Sequence, residues 1–231
     1  AGPMFTSNNC VFQNKIIVGN ISYQITGLSP FTNNKFTTIG NDWNLSHRLL
    51  SPKLKIQYKK IVVAVGEKLR ASGWKGLFGI DAILNETNQK IYLIEINARQ
   101  PASTTYESQL QEIKKKPSSK TTTEWKRETD ITIFTAHIAS LLNIDLPEVK
   151  LITIDDGSQI VQRVTSKKFP NQQSLNKLCI AVASVGKLNL IPYKNIKPET
   201  DLLRIQSNKS LMKNHNELNN LGQKIAKAIS I

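Results

Sequence analysis

Asp81, Glu95, Asn97 and Arg99 are the residues of this chain best placed by type and spacing to do chemistry. All four fall in residues 76–103, GLFGIDAILNETNQKIYLIEINARQPAS. The surrounding runs are apolar, and such runs normally exclude carboxylates, because an unpaired buried charge costs several kcal/mol. A partner for Asp81 and Glu95 is therefore expected. Two carboxylates and an amide offer hard oxygen ligands with no soft alternative nearby, which favours Mg2+ or Mn2+ over zinc or copper. Mg2+ keeps few protein ligands and completes its octahedron with water and substrate phosphates. Arg99 adds a rigid donor fork suited to a phosphate or acyl-phosphate oxygen. The rival reading is a structural hairpin in which Lys75 or Lys90 balances the two acids.

The elements that must position these residues are legible. Residues 77–84 and 91–96 read as strands joined by a connection of hairpin length, 85–90. Side chains alternate along a strand, so Glu95 and Asn97 share a face, and Asp81 joins them if the hairpin pairs in register. Upstream lies a helix with Ser51 as its cap, Pro52 in its first turn and Gly73 at its close. Leu54, Tyr58, Ile61, Val62, Val65 and Leu69 form its apolar face, and its lysines the solvated one. Residues 4–25 predict two or three short strands, and 27–43 a loop. Gln24 and Asn41 are candidates for selecting the acceptor substrate. A short helix is expected over 106–113, and a second over 131–142 capped by Thr129 or Asp130. His137 sits at the edge of that second stripe as a packing residue, while His47 and His215 have no acid or thiol neighbour in sequence. The run 114–128, KKKPSSKTTTEWKRE, predicts a flexible basic loop with Trp125 as an anchor or a partner contact. Beyond 147, VKLITI, SQIVQRVT, KLCIAVAS and GKLNLIPY read as four short strands, followed by a helix using Leu218, Leu221, Ile225 and Ile229.

GIDAIL followed by YLIEINARQPAS resembles the ATP-grasp superfamily, whose members carry an acidic strand and then an E-x-N-x-R strand end. The helix up to Gly73 with GWKG, and the later ETDITIFTAHIASLLNIDLP, are similar to the biotin-carboxylase-like and carbamoyl-phosphate-synthase-like enzymes. The resemblance implies Asp81, Glu95 and Asn97 as metal ligands, with Asn97 and Arg99 facing the nucleotide and Arg99 the catalytic arginine. It implies an α+β fold: an ATP-grasp-type antiparallel sheet packed with helices, then a small β-rich unit and a C-terminal helix. The corresponding domains are 1–147 and 148–231. The sequence departs from biotin carboxylase at 100–103, which lacks the glutamate base. Ser103 is a partial match to the serines of the carbamoyl-phosphate-synthase-like enzymes. The glycine-rich lid and adenine hinge that precede this region in the family are not visible, so the chain resembles the metal-bearing half alone.

The implied activity is an ATP-dependent carboxylate–amine ligation through an acyl phosphate, with ATP and Mg2+ or Mn2+ as cofactors. The missing half, in cis or in trans, is the expected partner. A non-catalytic ATP-grasp-like binding module is the alternative. Composition bounds the rest: 231 residues suffice for a real core, and 31 Lys plus Arg against 17 Asp plus Glu leave +14. That excess admits a polyanion partner, but scattered lysines favour a solvated surface over a nucleic-acid interface. Cys10 and Cys179 match no zinc or disulfide framework. No run is long and apolar enough for a membrane span, so a cytoplasmic protein is expected.

Overall fold

The computed structural model describes residues 2–12, 14–115, 130–146, 148–165 and 172–230. In chain order its elements are β1 (Met4–Val11), β2 (Ile16–Ile17), β3 (Ile21–Thr26), β4 (Thr38–Asp42), α1 (Trp43–Leu49), α2 (Pro52–Ala71), β5 (Gly76–Asn85) and β6 (Lys90–Asn97). There follow α3 (Thr104–Lys114), β7 (Asp130–Ile131), α4 (Ile133–Leu141), β8 (Lys150–Leu151) and β9 (Ser158–Arg163). The chain closes with α5 (Gln172–Ala183), β10 (Asn189–Pro192), β11 (Asp201–Ser207), β12 (Met212–Asn214), β13 (Glu217–Leu218) and α6 (Asn220–Ile229). The fold is α+β, as expected, with helices packed on antiparallel sheet. Two compact units form, residues 1–21 with 50–154, and residues 22–49 with 155–231.

In the first unit β1 is the central strand, pairing antiparallel with β5 along its whole length and with the short β2. β5 pairs in turn with β6. α2 begins at Ser51, whose side chain accepts from the Leu54 amide, and Gly73 follows its end at φ +81°, where a Cβ would be strained. Its buried side, Leu54, Tyr58, Val62 and Val65, covers one sheet face. There the Tyr58 hydroxyl donates to the Ile80 carbonyl at 2.8 Å, and Gln57 bonds both backbone groups of Ile91. α4 closes a second apolar cluster in which Cys10, Phe12 and Leu77 meet Ile133, Ala136 and Ala139. The cap of α4 is Thr132, not Thr129 or Asp130, because its side chain reaches the Thr135 amide.

In the second unit the strands run β3-β4-β9-β11-β10, every pair antiparallel. Asp42 is its buried anchor, accepting from the amides of Leu45, Leu211 and Met212 and from the Ser210 hydroxyl. Burial raises its pKa, and these four bonds oppose the rise. Two expectations fail here. Residues 27–43 include β4 and the start of α1. KLCIAVAS is helix, because Leu175, Leu178, Cys179 and Val182 recur at helical spacing, and the first three pack against Val164 and Leu202. The basic run 114–128 lies almost wholly outside the described residues.

Candidate active site

β5 and β6 bring the four singled-out residues together. Asp81 pairs directly with Glu95, and Gly79 with Asn97, so all lie on one sheet face. The pairing from Asn85 to Ala82 is regular and would set Asp81 opposite Ile94. Ile94 is instead an extra residue, a bulge that moves Glu95 into that place. β1 continues both rows, as Thr6–Asp81–Glu95 and Asn8–Gly79–Asn97.

The side chains are linked in series. Asn97 Nδ2 donates to Asp81 Oδ2 at 3.4 Å, and Arg99 Nη2 donates to Asn97 Oδ1 at 3.0 Å. Arg99 Nη1 reaches the Gln100 carbonyl at 3.3 Å. Asp81 and Asn97 are half-buried, whereas Glu95 and Arg99 are exposed. The expectation of buried acids therefore needs correction. Among the described residues β6 pairs only with β5, and beyond the buried Ile91 its apolar side chains are themselves open, Ile94 at 49% and Ile96 at 45%. Glu95 is solvated, and burial forces no partner on it. The lysine-balanced alternative does not form either. Lys75 donates to Asn143 at 2.6 Å, and neither acid makes an ion pair among the described residues.

Asn8, in the row of this face that also holds Asn97, leads into a polar network that the sequence did not announce. Glu107 on α3 is wholly buried; one carboxylate oxygen accepts from Asn8 Nδ2, the other from the Asn20 amide at 3.2 Å and Asn20 Nδ2 at 3.1 Å. Burial pushes its pKa up to about 7, against the pull of the Asn20 and Asn8 bonds. Gln111, one turn later, binds the Ile152 carbonyl and the Ile133 amide. Burial also pushes the Tyr58 phenol up; its bond to Ser7 opposes this, and the charges of Asp81 and Glu107 add to it. On a helix that also carries Tyr106 and Leu110, a Glu and a Gln at i, i+4 look like solvated residues. Only their common buried side gives them away.

The remaining candidates have other partners. His137 Nδ1 accepts from the Leu77 amide at 3.3 Å, and burial lowers its pKa, which fits its packing role. The His215 ring lies 3.0 Å from the Tyr23 hydroxyl. Gln24 and Asn41 are cross-strand partners in the second unit, where Asn41 bonds Ser22 and Gln159. Cys10 and Cys179 are free thiols, and burial raises Cys10 to about 12. Among the described residues no three His, Cys, Asp or Glu side chains converge. The oxygen set Asp81, Glu95 and Asn97 nonetheless fits a hard divalent cation that completes its shell with water and phosphate. No helix among the described residues is long and apolar enough to cross a membrane.

No protein-family model matches the sequence, and no curated protein matches it. Solved structures do. Carboxyaminoimidazole ribonucleotide synthase from Aspergillus clavatus, complexed with ATP, superposes with a TM-score of 0.62 at 13% identity, over 99% of this chain and 50% of that one. N5-carboxyaminoimidazole ribonucleotide synthetase from Thermotoga maritima gives 0.55 at 14% identity, covering 99% and 51%. L-amino acid ligase from Bacillus licheniformis gives 0.52 at 14% identity, covering 89% and 46%. The chain spans about half the length of these three structures, and the fold they share with it is the ATP-grasp fold.

Proposed function

We propose that this chain, built on the ATP-grasp fold, is the metal- and phosphate-facing portion of an ATP-dependent carboxylate–amine ligase. The observation that carries the reading is the convergence of Asp81, Glu95 and Asn97 on one sheet face, with Arg99 hydrogen-bonded to Asn97. Asp81, Glu95 and Asn97 would hold Mg2+ or Mn2+, which when bound draws charge from nucleotide phosphates. Asp81 and Glu95 supply the negative charge, and Asn97 an uncharged oxygen, Oδ1, that accepts from Arg99 while its Nδ2 faces Asp81. Arg99 presents a guanidinium that stays protonated and suits a phosphoryl or acyl-phosphate oxygen through two parallel bonds. In the reaction ATP phosphorylates a carboxylate, and an amine then displaces phosphate to form an amide-type bond. The complementary half, in cis or in trans, is the proposed partner, and the free thiols Cys10 and Cys179 accord with a reducing, cytoplasmic setting.

The half-length match favours one second reading, a module that binds nucleotide without turnover. Mixing the chain with its complementary half and measuring ADP release dependent on a carboxylate and an amine separates the two. Release that vanishes with Arg99→Ala supports the ligase. Nucleotide binding with no release under any acceptor assigns the module.

A further inference from the structure

We infer that Glu107 is a positioning residue: through Asn8 and Ser103 it holds the 98–103 segment that carries Arg99 on the carboxylate face. The inference rests on the phosphate-facing role proposed for Arg99. Arg99 is exposed, and its guanidinium bonds reach only Asn97 and Gln100 among the described residues. Its place is therefore set by what anchors the segment on either side.

Two anchors are present. Gly79 occupies the middle of the row Asn8–Gly79–Asn97, and Pro101 fills the space above it. A Cβ on Gly79 would stand 3.0 Å from Pro101 Cγ and 3.3 Å from Asn97 Cβ. The segment thus folds back over the same row that carries Asn97. At its end the Ser103 hydroxyl meets the Asn8 amide, 3.1 Å from Oδ1 and 3.0 Å from Nδ2. Ser103 is buried immediately before α3, and its side chain is turned to Asn8 and makes no capping bond, so this contact joins the segment, the start of the helix and β1 at one point.

Glu107 orients that point. When ionised, above about pH 7, the carboxylate only accepts hydrogen bonds, so Asn8 turns Nδ2 toward it, which leaves Oδ1 to accept from Ser103. No lysine, arginine or histidine pairs with Glu107 among the described residues. The groups facing it are Asn8 from β1, Asn20 from the segment after β2, and Ser103 by way of Asn8. The Tyr58 phenol on α2 responds to its charge. Keeping a carboxylate buried without a cation is costly, and an apolar residue of similar size would pack there at lower cost. What the carboxylate adds is a defined amide orientation beneath the Arg99 segment.

Hydrogen–deuterium exchange on the full chain tests this, with Ser103→Ala and Glu107→Gln beside the wild type. The Arg99 and Thr104 amides, which donate to the Asn97 and Pro101 carbonyls, are expected to exchange about tenfold or more faster in both, as a local opening, while 76–85 and 90–97 keep wild-type rates. Should Glu107→Gln not fold, Asn8→Ala takes its place beside Ser103→Ala, since it keeps the carboxylate and removes the amide that relays it to Ser103. Ser103→Thr, which retains the hydroxyl, should restore slow exchange. Unchanged rates at the Arg99 and Thr104 amides, or equal acceleration through β5 and β6, would overturn the inference. Binding of tripolyphosphate with Mn2+ is measured on the same proteins. Loss of affinity in Ser103→Ala and its recovery in Ser103→Thr extend the anchor to Arg99 function. A wild type that binds no Mn2+ tripolyphosphate defeats the phosphate reading, and the exchange map still decides the anchor.

Discussion

Glu95 stands directly across the β5–β6 pairing from Asp81, and it does so because Ile94 bulges out of the strand. Directly paired residues bring their Cβ atoms to about 4.5–5.5 Å. The double variant Asp81→Cys/Glu95→Cys should therefore close a disulfide under mild oxidant, and Asp81→Cys/Ile94→Cys should not. Mass spectrometry of the non-reduced peptides distinguishes them, and a crosslink through position 94 would return the hairpin to a regular register.

Removing the oxygens should weaken a divalent cation more than it weakens the fold. Glu95 is exposed and Asp81 half-buried, so Glu95→Ala should leave the melting temperature near that of wild type. Its Mn2+ affinity, read by electron paramagnetic resonance of the free ion, should fall about tenfold or more, since charge count sets affinity at such sites. Asn97→Ala should do the same and also release Arg99. Wild-type Mn2+ affinity in both variants would remove the metal assignment.

Glu107 should leave a pH signature in stability. Its folded pKa, about 7, lies above the ordinary value of 4.5, so between these the native state binds more protons than the unfolded chain. The stability tied to its protonated form is complete below about 4.5 and is lost as pH rises toward 7. Wild type should thus lose stability relative to Glu107→Gln as pH climbs through that window, by on the order of 3 kcal/mol. Urea midpoints compared at pH 4.5, 6 and 7.5 check the slope. Parallel curves for the two proteins would show that the carboxylate does not titrate there.

Tyr58 ties α2 to the sheet beneath the site. Tyr58→Phe removes the bonds to the Ile80 carbonyl and Ser7 hydroxyl while keeping the ring, which should cost about 1–3 kcal/mol. Chemical denaturation measures the loss, and an unchanged midpoint would mean the hydroxyl contributes nothing net.

Much of this molecule was written in local pattern. Ser51, Pro52 and Gly73 bound α2, and the apolar spacing between them names its buried face, because caps and periodicity act over a few residues. Asp81, Glu95, Asn97 and Arg99 could be singled out because carboxylates in apolar runs are unusual. The same locality misled at α5, where a short apolar run suits strand and helix alike and only packing against Val164 and Leu202 chooses. It also misjudged the acids as buried, since nothing in the order of residues says that β6 pairs with β5 alone among the described residues. The amino-acid sequence by itself determined which residue types were available for oxygen chemistry and which segments were regular. Tertiary structure alone decided that Ile94 would bulge to set Glu95 opposite Asp81, and that Asn8 and Glu107, 99 positions apart, would share a hydrogen bond. The reason is physical. Register and burial depend on partners distant in the chain, and no local propensity carries that information.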